Sequence, residues 1–278
     1  MTATTLAPPT PELARDADLA SPQRGALAWL LRDTATMTGR SLRHATRNID
    51  SLIMALVLPV MLMLLFVYVF GGAISTVPSY VNYVVPGIVI LCAGYGASMV
   101  GVSVCADVVG QIVDRFRTLP VASSTVLVGH VLAGVARNLV STAIVVGLAF
   151  ALGFRPDAGP LEWLAALGLL LLVIWAISWV SVCFGLIANS PEAASGFSFF
   201  ILFLPYVSSA FVPTSTMPAA LQAVADHQPI TPVIEALRGL LTGTPVGSSA
   251  AVAVVWFGAI SILAMTAATA LFRRRTSS

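Results

Sequence analysis

Lysine is absent from this chain: all 14 of its basic side chains are arginine. A P-loop needs a lysine beside its glycine-rich turn to reach the β- and γ-phosphates, so the chain carries no ordinary P-loop nucleotide site. Charge of either sign is scarce. Charged residues make up 9% of the 278 positions and apolar residues 58%, where soluble domains are roughly a quarter charged. Mean hydropathy is +0.93. Too few charges remain to cover a water-soluble surface, which excludes a soluble enzyme and a disordered chain. The net charge of +2 is not the basic footprint of a nucleic-acid module. Cys92, Cys105 and Cys183 form no CxxC pair and each falls in an apolar run; they read as buried small hydrophobes rather than a disulfide or metal framework. No nucleophile–base pair, carboxylate dyad or metal cluster is recognisable. His130 reads as a structural or interfacial histidine, His44 lies on a wet face, and His227 beside Asp226 is assigned no chemistry.

What is present is a series of long apolar runs. No charge falls between Asp50 and Asp107, a span that fits two membrane helices and a turn, since one crossing takes about 20 residues. Gly71, Gly72, Pro78 and the polar cluster 79–83 mark the break. Crossings are predicted at about 49–70, 84–106, 123–152, 163–188, 193–212 and 249–272, the fifth with Pro205 in its interior. Tyr68, Tyr80 and Tyr83 stand where interfacial aromatic anchors are expected. The fold class is therefore an all-α polytopic membrane protein with six transmembrane helices, both termini on one side.

Arginine bias gives the side. Arg15, Arg24, Arg32, Arg40, Arg43 and Arg47 precede the first crossing, Arg115 and Arg117 follow the second, and Arg273, Arg274 and Arg275 follow the sixth. Only Arg155 and Arg238 lie in the opposite loops, with Arg137 embedded. Both termini are thus expected in the cytoplasm. Residues 1–24 are polar and proline-punctuated and read as a disordered tail without a cleavable signal peptide; residues 273–278 form a second short tail. Over 25–48, Leu27, Leu30, Leu31, Leu42, Ala45 and Ile49 share one helical arc, and Arg32, Arg40, Arg43 and Arg47 the opposite one. This predicts an amphipathic elbow lying in the headgroup plane, or else a cytoplasmic helix packed on protein.

The loop after the second crossing gathers Asp107, Asp114, Arg115 and Arg117 into an otherwise uncharged region. Val109, Ile112, Val113 and Phe116 have helical spacing, and Pro120 ends the segment at Leu119. One reading is an inside loop whose arginines set topology. The other is a docking knob, with Phe116 as apolar anchor and Asp114, Arg115 and Arg117 as charged rim.

This loop, Asp107…Gly110…Ile112-Val113-Asp114-Arg115-Phe116-Arg117-Thr118-Leu119-Pro120, resembles the cytoplasmic-loop motif of ABC-2-type transporter permeases, with the daunorubicin/doxorubicin-resistance branch most similar. A second block agrees: Ser209-Ala210-Phe211-Val212-Pro213, Met217-Pro218, then Pro229-Ile230-Thr231-Pro232 leading to Ala236-Leu237-Arg238-Gly239. The resemblance covers roughly 25–272. It implies a six-helix permease of the plasma membrane that pairs with a second permease subunit, identical or paralogous. It also implies separate ABC ATPase subunits that hold ATP and Mg, with no cofactor in this chain. Residues 25–48 would be the connecting elbow and 107–118 the coupling helix, with Asp107, Gly110, Gln111, Asp114, Arg115, Phe116 and Arg117 facing the ATPase. Val108, Val109 and Gln111 stand where the family pattern carries more charge. Cargo would be a drug, antibiotic or complex lipid, or a polysaccharide or lipo-oligosaccharide in a sister branch.

Residues 213–247 hold two helical signals too short to cross a bilayer. Thr216 and Thr231 are expected caps, Val233, Ile234, Leu237, Leu240 and Leu241 form an apolar stripe, and Gly243 ends it. A re-entrant extracellular hairpin buried by protein is predicted, either a gate or a plain cap. Arg137 is either a snorkelling anchor or a charge facing the pathway. Tyr95 and Met99 (with Cys92) on the second helix, and Phe199, Phe203 and Tyr206 (with Phe200) on the fifth, are candidate path-lining residues for lipophilic cargo; plain helix packing is the alternative. An ion-coupled secondary transporter would need a mid-membrane carboxylate or cation relay, and a membrane enzyme a catalytic cluster; neither pattern is visible. Cysteine-directed reagents should label Arg40→Cys but not Leu42→Cys in membranes, and equal labelling would reject the flat elbow.

Overall fold

The computed structural model describes residues 49–71, 80–110 and 123–277. The elbow 25–48 and, of the expected coupling residues, Gln111, Asp114, Arg115, Phe116 and Arg117 lie outside the described residues. Eight α-helices make up the described architecture, with no strand among the described residues. They are α1 (Ile49–Leu64), α2 (Tyr80–Val109), α3 (Ser123–Ala151), α4 (Pro160–Ile187), α5 (Pro191–Phe203), α6 (Ala219–His227), α7 (Ile230–Thr242) and α8 (Ser249–Ser277).

Among the described residues, four segments are long and apolar enough to cross a membrane: Tyr80–Val109, Leu127–Ala151, Pro160–Ile187 and Ser249–Arg274. Two shorter apolar helices, Leu56–Phe70 and Pro191–Val207, accompany them. The chain is an integral membrane protein. All the helices but α6 contribute to one apolar core, and α2 is its hub, packed along α4 and against α3, α5 and α1, while α8 packs on α4. Phe66 beyond α1 stacks on Phe211 after α5 at 4.1 Å between ring centroids. One end of the bundle therefore holds Phe66, the start of α2, the end of α3 and residues 208–247; we call it the hairpin end. The other holds Asp107, the end of α4 and the arginines in the last turns of α8, and is the arginine-rich end.

Apolar side chains gain little by leaving lipid for one another, so helices in bilayers associate through close backbone approach and interhelical hydrogen bonds. The α2–α4 crossing uses both. A Cβ built on Gly185 would lie 2.2 Å from the carbonyl oxygen of Gly101, and one on Gly101 would lie 2.1 Å from that of Ser181. The Ser181 hydroxyl donates to the carbonyl of Ser98 and accepts the Gly101 N–H at 2.9 Å. Against α3, Asn138 is buried and its Nδ2 donates to the carbonyl of Ala93 at 2.6 Å.

Two expectations are corrected. The fifth helix does not run through 193–212: α5 starts on the Ser190 cap and Pro191, ends at Phe203, and is followed by a 3-10 turn over Leu204–Val207. Pro205 lacks an N–H and its ring crowds the preceding turn. Thr216 and Thr231 are not helix caps either. Pro218 and Pro229 precede α6 and α7, because a proline just outside or at the start of a helix loses no intrahelical bond. The expected stop at Gly243 is present, at φ 68°, a left-handed conformation that glycine adopts without steric cost.

Filling the crossing should be costly. Gly101→Leu should destabilise the protein by about 3 kcal/mol, since no neighbouring backbone can move aside. Gly147→Ala, with nothing within 4 Å of its Cβ position, should be neutral. Thermal midpoints in detergent check both, and equal midpoints would refute the account of the crossing.

Candidate functional site

The helix breaks after α5, and the backbone that follows lies at the hairpin end without a regular ladder. Bare carbonyls are untenable where water is excluded, so side chains from elsewhere must satisfy them. Gln228 Nε2, after α6, donates to the carbonyls of Leu204, at 3.3 Å, and Val207. Tyr83 Oη donates to the Ser209 carbonyl at 3.0 Å, and Tyr80 Oη to that of Phe211 at 3.1 Å. Arg238 Nη2 also donates to the Ser209 carbonyl. Ser208 works locally: its Oγ donates to the Pro205 carbonyl at 2.5 Å and accepts the Ala210 N–H at 3.1 Å.

Arg238 joins three elements. Its guanidinium lies 3.8 Å from the centroid of the Tyr83 ring, and its Nε donates to the Tyr83 carbonyl at 3.3 Å. A cation desolvated over an aromatic face gains about 2 kcal/mol. Burial lowers the Arg238 pKa from its ordinary value, while Tyr83 and Glu235 act in the opposite direction. The approach is tight at Gly87 as well: a Cβ there would stand 2.7 Å from that of Ala210. The motif Ser209-Ala210-Phe211-Val212-Pro213 is thus the segment captured by α2 and α7. Tyr80 and Tyr83, expected as lipid-interface anchors, are instead its captors, whereas Tyr68 is exposed.

At the arginine-rich end α2 continues through Val109, so Asp107 is still helical, and the Gly110 N–H bonds back to the Ala106 carbonyl at 2.8 Å. Asp107 Oδ2 lies 3.0 Å from His130 Nε2 of α3. His130 is therefore a structural histidine that ties the start of the 107–118 segment to α3. Arg137 sits midway along α3, half-buried.

The candidate path residues divide. Tyr95 and Met99 are half-buried on α2. Phe199, Phe200 and Phe203 point out of the bundle, 62%, 64% and 63% exposed, so none lines a channel inside one copy of the chain. Tyr206 stacks on Phe211 at 5.1 Å and meets Phe203 at 6.2 Å. Sequence reasoning missed Asn138, Ser181, Gln228 and the role of Arg238. Only Arg238 carried a signal, as a cation set among the residues of an apolar stripe.

Comparison with known proteins gives the class of this apolar helical bundle. The chain belongs to the ABC-2 type transporter family, whose model matches residues 32–242. It is similar to the daunorubicin resistance ABC transporter permease protein DrrB1 of Streptomyces coeruleorubidus, with 32% identity over 81% of both chains. It is also similar to the probable doxorubicin resistance ABC transporter permease protein DrrC of Mycobacterium tuberculosis, with 25% identity over 91% of this chain and 93% of that one.

If Arg238 holds the break, Arg238→Gln should speed amide exchange in 204–213 by roughly tenfold, the worth of a charge-assisted hydrogen bond. Tyr83→Phe should have a smaller effect of the same sign. Unchanged exchange in both would show that neither side chain holds the segment.

Proposed function

We infer that this protein is the permease subunit of an ABC exporter that carries a lipophilic or amphipathic drug out of the cell. The observation that carries the reading is the match over four fifths of its length to a daunorubicin resistance permease. ATP and Mg are held by separate ATPase subunits, and the absence of lysine supports that division. The bundle crosses the plasma membrane six times with both termini cytoplasmic; the arginine distribution supports this orientation. In it α1 and α5, with the turns that extend them, are the two shorter crossings, and 213–247 is a re-entrant extracellular hairpin.

Residues 107–118 dock on the ATPase, with Phe116 inserted and Asp114, Arg115 and Arg117 around it. Asp107, Gly110 and Gln111 form the junction that passes movement into α2. Two permeases enclose the path between them. The outward-facing Phe199 and Phe203, with Tyr95, Met99 and Tyr206, supply an apolar wall for cargo. Such a wall suits an aromatic, poorly hydrated molecule and leaves a polysaccharide without hydrogen-bond partners. The change of access draws on the difference in ATPase binding between the two states.

Phe116→Ala should weaken copurification with the partner ATPase about tenfold or more, as for a buried aromatic anchor, while Phe116→Leu retains most of it. Vesicles holding permease and ATPase should accumulate daunorubicin on ATP addition. Uptake driven by an ion gradient in vesicles without the ATPase would overturn the reading.

A further inference from the structure

A groove of about 720 Å³ opens between α3 and α4, away from the captured break and from the outward-facing phenylalanines. Val89 of α2 and Leu237 of α7 are at its back; Ala143 and Gly147 of α3 and Trp163 and Leu167 of α4 are among its sides. The polar groups among the lining side chains are the Thr142 hydroxyl, which turns to Asn138 Oδ1 at 3.5 Å, and the Trp163 indole N–H. The rest of the wall offers a ligand no hydrogen bond, so the occupant must be apolar along nearly all of its buried length. The groove runs from Leu139 to Phe150 on α3, about 16 Å at 1.5 Å per residue, close to the ~15 Å depth of one leaflet's hydrocarbon. It lies between two membrane-crossing segments, so lipid chains are what it meets first.

Phe150 and Phe154 line the groove, and Arg155 Nη1 donates to the carbonyls of both, at 3.0 and 2.9 Å. Asn82 at the start of α2 clamps the Arg155 backbone from both sides: Nδ2 donates to its carbonyl at 3.1 Å and Oδ1 accepts its N–H at 3.0 Å. The Arg155 guanidinium is thereby held beside two residues that line the groove, with its other N–H groups unpartnered among the described residues. Asp157 and Glu162 stand exposed nearby. A fixed guanidinium suits a phosphate, and flanking carboxylates suit an ammonium. We propose that this groove binds one zwitterionic phospholipid, an acyl chain between α3 and α4 and the phosphate on Arg155. The inference rests on the chain lying in a bilayer and is independent of cargo and ATPase.

The test uses the full chain in nanodiscs of phosphatidylethanolamine doped with a probe carrying a photoactivatable group at the acyl terminus. Cross-links should fall on peptides spanning 139–150 and 160–170 and disappear in Gly147→Trp, which fills the groove from a position with open space around its Cβ. Arg155→Gln should weaken retention of the lipid in detergent about tenfold, the scale of a charged hydrogen bond. Binding and ATPase copurification should survive and fail separately, since the two sites share no residue. Three results would overturn the proposal. One is labelling unchanged in Gly147→Trp. Another is a photoactivatable daunorubicin that labels the same peptides and resists displacement by phospholipid. The third is a cross-link between two copies through Gly147→Cys, which would assign the groove to a subunit contact.

Discussion

The backbone contact between α2 and α4 is the constraint on which the rest of this structure depends. In water, two such apolar helices would be driven together by burial; in lipid, that force nearly vanishes. What remains is the absence of side chains at Gly101 and Gly185, which lets the two backbones touch, and the Ser181 hydroxyl, which bonds α2 twice in one turn. The contact makes α2 and α4 a single body. Because α2 has 30 residues, it spans about 45 Å and reaches both ends of the bundle. Its last turn holds α3 through Asp107 and His130, and its first holds the segment after α5 through Tyr80 and Tyr83.

The break after α5 illustrates how irregular backbone survives in such a setting. Pro205 interrupts the ladder, and four carbonyls are recovered by Gln228, Tyr83, Arg238 and Tyr80. None of these captors belongs to the segment itself. Its conformation is therefore conditional on the positions of α2 and α7: separate them, and Ser209 loses two donors while Arg238 loses the Tyr83 ring. Each such loss leaves a polar group unsatisfied, which costs more than the bond itself contributed.

Much of the long-range plan was legible in the residues. Hydropathic runs gave the long helices within a few residues, because a bilayer imposes length and composition together. The break at Gly71 and the stop at Gly243 were legible because glycine marks them directly. The fifth helix was overextended: a proline in an apolar run reads as a kink, and only the captors on α2 and α7 show why the chain leaves the helix for good. The tyrosines at the start of α2 were misplaced for a similar reason. An amphipathic ring suits both a lipid interface and a buried carbonyl, and composition cannot choose between them. The captors come from positions distant in sequence, Tyr83 and Arg238 being 155 residues apart, so no local pattern announces them. The coupling segment was legible only as a motif, and the groove between α3 and α4 not at all, since it arises where helices diverge.

The strengths of these contacts order the ways the bundle can move. The α2–α4 crossing is backbone against backbone, with no rotamer to change and no gap to close, so sliding it breaks packing and hydrogen bonds at once. The hydrogen bonds at the two ends of α2 are made by side chains, each worth on the order of 1 kcal/mol net and able to exchange partners. A displacement of α2 would therefore carry α4 with it and be accommodated first at the side-chain hydrogen bonds between α2, α7 and the segment after α5. That is where the polar captors sit. A chain with little charge thus keeps its most exchangeable interactions at the hairpin end, about 45 Å along the helix from the arginine-rich end.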